Sequence, residues 1–207
     1  MRALPNMTVV DPADSLEITQ AVTAVADHKG PVYLRLKRGE IPLIFEDDHR
    51  FELGKAQVIA GGEHCDVCII GAGMMIPAAL AAARTLEDNG VSATVINAPV
   101  IKPLDQATVM KAVRKSRIVI TAENHTVIGG LGSAVAEAIA EAGVAAPLRR
   151  IGIDDVFAES GSREYLFSRY GLGTQNIVDA VWHGLALNPP APVAPVLETA
   201  PGAYAPV

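Results

Sequence analysis

From Cys65 onward, short apolar runs alternate with longer stretches of helical periodicity, and that rhythm leaves few folds open. Strands are read at 66–71, 93–97, 117–122 and 147–152. Helices are read at 74–89, 105–115, 131–142, 162–170 and 174–186. Asn89-Gly90 and Gly143 close two of them, because glycine accepts the left-handed turn on which helices often end. Such alternation implies an α/β fold of three layers, α/β/α, around a mostly parallel sheet with right-handed crossovers. The chain is 50% hydrophobic and 19% charged, enough to bury a substantial core. Aromatics are only 4%, which favours helices packed closely on a sheet over an aromatic binding platform.

Residues 1–45 hold one further α/β unit. A strand is read at 7–10, then a turn in which Asp14 or Ser15 caps a helix. Leu16, Ile18, Ala21, Val22 and Val25 form its apolar stripe, and a second strand follows at 31–36. Two strands and one helix seldom fold alone. This partial unit therefore reads as the end of a larger domain. Residues 46–62 are a charged linker in which 55–60 suit an edge strand, and 63–186 form the main domain. The segment 187–207 carries six prolines in 21 residues and a single charge, Glu198. That composition reads as a flexible tail.

A net charge of −6 argues against nucleic acid as a partner, since phosphates call for clustered Lys and Arg. No apolar run approaches the roughly 20 residues of a membrane span. Two cysteines, and an N-terminal stretch without an apolar secretory core, point to the cytoplasm.

Five motifs carry candidate chemistry. Gly71-Ala72-Gly73 opens a helix after a strand, as a dinucleotide fingerprint does, but its third glycine falls on Ile76 and no acid ends the next strand. A tight turn is the plainer account. Cys65-Asp66-Val67-Cys68 lacks a second cysteine pair for zinc, and in a strand its two thiols face opposite ways. Glu123-Asn124-His125 reads as a polar turn at the sheet edge, where an acid and a histidine can form a general-base pair or a subunit contact. Gly129, Gly130 and Gly132 lead into a helix whose N-terminus can hold an anion or simply pack closely. In Arg35, Lys37 and Arg38 the first two share a face. Arg38 points the other way, where its guanidinium can hold a substrate phosphate or remain a solvated charge.

The segments 4–22, 30–42, 66–75, 95–105, 121–137 and 150–172 together resemble the C-terminal part of transketolase and related thiamine-diphosphate enzymes. They include LPNMTVVDPADSLEITQAV, GPVYLRLKRGEIP and TAENHTVIGGLGSAVAE, and they run in family order over 4–186. Glu159-Ser160-Gly161-Ser162 is similar to transketolase, where the deoxyxylulose-phosphate synthase branch usually has histidine and glycine. Asp154 departs from the proline often found there.

The resemblance implies that 1–45 ends the pyrimidine-binding domain and that 63–186 is the transketolase C-terminal domain. It implies ketol transfer between sugar phosphates, in the pentose phosphate pathway, by an enzyme using thiamine diphosphate and Mg2+. Neither cofactor is expected to bind this chain alone, because the diphosphate domain and the glutamate that activates the aminopyrimidine have no counterpart in it. No catalytic residue and no metal ligand map onto the chain. Arg38 corresponds to an arginine that contacts the sugar phosphate. The implied partner is a diphosphate/pyrimidine-domain subunit or segment, in a homodimer or heterotetramer. A non-catalytic regulatory or assembly module of the same fold stays open at this point. So does the C-terminal part of a deoxyxylulose-phosphate synthase-like enzyme.

Overall fold

The computed structural model describes residues 1–39, 41–62 and 65–186; the proline-rich tail read at 187–207 lies outside the described residues. Five strands form the main sheet. β3 (Gln57–Ala60), β4 (Val67–Gly71), β5 (Ala93–Asn97), β7 (Ile118–Thr126) and β8 (Leu148–Ile153) stand in the order β3-β5-β4-β7-β8. β4, β5, β7 and β8 run parallel, and β3 closes the edge antiparallel to β5. The α/β/α expectation holds.

Strand alternation sorts the side chains into two cores. Val67, Ile69, Val95, Ile118 and Ile120 pack under α2 (Ile76–Asp88) and α6 (Thr174–Leu185). Cys68, Ile70, Ile96 and Val119 pack under α3 (Gln106–Val113) and α4 (Leu131–Glu141). The run Val67–Gly71 is buried throughout, as a central parallel strand covered on both sides must be. The seven residues of α5 (Arg163–Arg169) include no buried side chain.

The first unit forms β1 (Thr8–Val10), α1 (Ser15–Ala26) and β2 (Val32–Leu34). Asp14 is the N-cap, its side chain accepting the Glu17 N–H at 2.8 Å. The buried stripe of α1 is narrower than its sequence suggests. Only Glu17 and Ala21 are buried, and Val22 is 45% exposed. The helix's apolar contacts are a small cluster of Ala21 and Val25 with Val10, Val32, Leu34, Phe51, Leu53 and Val100. β1 pairs parallel with β2 and antiparallel with β6 (Val100–Lys102), a short strand between Pro99 and Pro103 that is not among the strands read from sequence. Through β6 the first unit shares a three-stranded sheet with the second.

Cys65 and Cys68 require a correction. β4 begins at Val67, so Cys65 precedes the strand and strand alternation does not separate the pair. Both thiols are reduced and buried in the same core cluster.

Candidate functional site

The polar triplet 123–125 lies inside β7 rather than in a turn, since the strand continues to Thr126. Glu123 is 1% exposed. Its carboxylate accepts the backbone N–H groups of Leu131 at 2.7 Å and Gly132 at 2.8 Å. The anion at the start of α4 is therefore the chain's own carboxylate, which meets two otherwise unpaired donors of the first helical turn. Glycine is required at 130, because a Cβ there would overlap Glu123 Oε2. Burial pushes the Glu123 pKa up, while the two N–H bonds and the charges of His125 and Arg35 pull it down.

His125 is half-exposed, with Nδ1 3.9 Å from Glu123 Oε2 and 2.8 Å from the Thr126 carbonyl. That separation exceeds a hydrogen bond, and both Glu123 oxygens accept from α4, so the two side chains are not hydrogen-bonded to each other. Gly129 has φ of 77° and its carbonyl accepts from Arg2 Nε at 3.0 Å. A Cβ on Gly132 would come within 2.8 Å of Thr121 Oγ1 and the Arg150 side chain. Glycines 130 and 132 thus serve close packing.

Asn124 faces the first unit. Its side-chain oxygen accepts from Arg35 Nη1 at 2.9 Å, and its carbonyl accepts from Arg35 Nη2 at 2.7 Å. Arg35 also pairs with Asp11 Oδ2 at 3.2 Å, and Lys37 Nζ pairs with Asp11 Oδ1. Asp11 and Lys37 are almost fully buried, and burial lowers the lysine to about 8. The Gly71-Ala72-Gly73 turn closes over this pair. Gly73 has φ of 56°, and a Cβ on it would strike Asp11 and Lys37. The space a pyrophosphate would need beside a dinucleotide fingerprint is thus filled by an internal ion pair. Arg38 is exposed and forms no ion pair among the described residues. The predicted division holds: Arg35 and Lys37 turn inward to one acid, and Arg38 does not.

Another buried acid, Glu17, escaped sequence reading. Glu17 accepts from the Ala13 N–H at 2.6 Å and Asn97 Nδ2 at 2.7 Å, with His49 Nε2 3.3 Å away. Burial is the main cause raising its pKa to about 7. The Asp14-x-x-Glu17 spacing is a capping-box pattern and was the available signal. Nothing in the sequence pairs residue 17 with residues 49 and 97. Asp14 also accepts the Ile44 and Phe45 N–H groups at 2.9 and 3.0 Å, so two neighbouring acids hold the linker.

A shallow pocket of about 110 Å³ opens where the two units meet, lined in part by Asp11, Arg35, Glu123, His125 and Gly130. Among the described residues, no group of three His, Cys, Asp or Glu side chains is arranged to hold a metal ion. Asp11, Asp14, Glu17 and Glu123, the buried acids, already have internal partners. No described helix is long and apolar enough to cross a membrane.

Residues 54–177 match the family model described as Transketolase, C-terminal domain. A putative uncharacterized transketolase family protein, y4mN of Sinorhizobium fredii, is 49% identical over 180 residues, covering 86% of this chain and 52% of that protein. A putative transketolase C-terminal section of Methanocaldococcus jannaschii is 40% identical over 183 residues, covering 87% of this chain and 56% of that protein. Among solved structures, a split-gene transketolase described as an inactive beta4 tetramer superposes with a TM-score of 0.84 at 42% identity. That match covers 90% of this chain and 60% of the other. The chain spans about half the length of the curated relatives it matches.

Proposed function

Since the chain belongs to the transketolase C-terminal domain family, we propose that it is the C-terminal part of a transketolase-like enzyme that moves a two-carbon ketol unit between sugar phosphates. The observation that carries this reading is the placement of Arg38. It is exposed at the end of a segment whose two neighbouring cations are drawn inward by Asp11. A guanidinium held at the surface in this way is suited to grip a phosphate through two parallel N–H donors.

The complete enzyme uses thiamine diphosphate and Mg2+. Among the described residues the buried acids are engaged by internal partners, and no group of three His, Cys, Asp or Glu is arranged for a metal ion. In this reading both belong to the diphosphate and pyrimidine domains, carried on a further segment or a separate subunit. The split-gene relative supports a separate subunit. A cytoplasmic homodimer or heterotetramer fits the same reading. The Glu159-Ser160-Gly161-Ser162 turn favours transketolase over the deoxyxylulose-phosphate synthase branch.

The test is ketol transfer by the chain assembled with its cofactor-binding partner. Arg38→Ala should raise KM for a phosphorylated aldose at least tenfold, roughly the loss of one charge-assisted contact, while thiamine diphosphate affinity stays unchanged. An unaltered KM removes Arg38 from the site.

A further inference from the structure

We propose that Asn124 is a positioning residue for Arg38, acting through Arg35. The inference rests on the reading of Arg38 as the substrate-phosphate contact. β2 ends at Leu34, so Arg35 to Arg38 leave the sheet before the phosphate group would be met. The backbone hydrogen bond that carries on past the strand joins Arg35 N–H to the Val10 carbonyl at 2.8 Å. Beyond it, side chains hold the segment.

Those side chains anchor alternate residues. The Arg35 guanidinium donates both to the side-chain oxygen and to the carbonyl of Asn124, and it pairs with Asp11. Lys37 is drawn to the other oxygen of the same acid. Asp11 is itself fixed, its N–H donating to the Pro99 carbonyl at 2.7 Å. Asn124 lies on β7 between Ala122, where pairing with β4 and β8 is last regular, and Thr126, which pairs again with Ile153, and its amide nitrogen lies 3.5 Å from Met74 Sδ. The second unit's sheet thus grips position 35, and the buried acid grips position 37. Position 38 is presented outward next to both anchors.

Asparagine suits this task. It offers Arg35 an acceptor without adding a charge beside the buried carboxylates Asp11 and Glu123. A domain that touches neither cofactor nor reacting carbon would in this way set the aim of a substrate contact. Small displacements of such a group are costly, because its bonds must form in the reacting geometry.

The test uses the assembled enzyme with two acceptors, an aldose phosphate and glycolaldehyde, which carries no phosphate. Asn124→Ala should lower the ratio of kcat/KM for the phosphorylated over the unphosphorylated acceptor about tenfold. Asn124→Gln, which keeps a neutral acceptor oxygen, should restore part of it. The Asn124→Ala, Arg38→Ala double variant should lose little more than Arg38→Ala alone, as expected of residues acting in series. If Arg38→Ala lowers the ratio and Asn124→Ala does not, the positioning role is refuted. If Arg38→Ala leaves it unchanged, the phosphate reading itself fails. An equal loss with both acceptors marks Asn124 as merely structural and also refutes the proposal. Should Asn124→Ala not fold, Arg35→Lys, which keeps the charge and loses the fork, replaces it with the same expectations. Amide exchange of the isolated chain gives a readout free of activity. Asn124→Ala should speed exchange at 35–39 and spare β4; unchanged rates at 35–39 would overturn the anchor.

Discussion

Replacing Glu17 by glutamine should remove a pH dependence that the native chain carries. Glu17 is 1% exposed, and burial raises its pKa from 4.5 to about 7. Each tenfold change in proton affinity is worth about 1.4 kcal/mol, so this rise corresponds to about 3 kcal/mol. The folded state holds the proton more tightly than the unfolded state. The stabilisation linked to protonation is therefore fully present below pH 4.5 and is lost as pH rises through about 7. Burial lowers the pKa of the neighbouring His49, and because His49 is present in both proteins its titration is shared by the two profiles being compared. Asn97 accommodates both forms: its amide donates to the carboxylate and, turned over, accepts from the carboxyl. Glutamine mimics the neutral form at every pH. Urea unfolding of both proteins across pH 4.5 to 8 gives the measurement. The native chain should lose about 3 kcal/mol relative to Glu17→Gln over that range, with most of the change complete by pH 7.5. Parallel stability profiles would refute the reasoning, because they would mean that Glu17 gives up its proton as readily in the fold as out of it.

Two further outcomes follow from the packing. Gly130→Ala should destabilise the fold by more than about 2 kcal/mol, since the new methyl displaces Glu123 from the first turn of α4. Urea midpoints equal to those of the native chain would show that Glu123 does not cap that helix. Cys68 should resist a chromogenic disulfide reagent until the protein unfolds, because it is fully buried and burial raises its thiol pKa far above neutrality. Rapid labelling of both thiols under native conditions would contradict the described core.

The order of strands and helices was legible because its signal is local. Runs such as Val67 to Ile70 announce a covered parallel strand, and Asn89-Gly90 announces a helix end. The polar triplet at 123–125 misled because charged residues suggest a turn. Glu123 instead remains in the strand, since two helix N–H groups make its burial tolerable. The alternation of Arg35, Lys37 and Arg38 was readable from spacing. Their partners were not, since Asp11 and Asn124 lie 24 and 89 residues from Arg35. Glu17 shows the same limit, with a capping pattern nearby and a hydrogen-bond partner 80 residues away.

The antiparallel pairing of β1 with β6 has a consequence for the order in which the chain acquires structure. Val9 cannot meet Lys102 until both have left the ribosome, and at about 5–20 residues per second the intervening stretch takes roughly 5 to 20 seconds to make. Throughout that interval the first unit has β2 as a neighbour but not the strand that closes its other edge. The nascent chain therefore displays an unfinished, apolar sheet margin for which chaperones and misdirected strand pairing compete. The sheet that joins the two units therefore closes only after its first strand has waited for its partner.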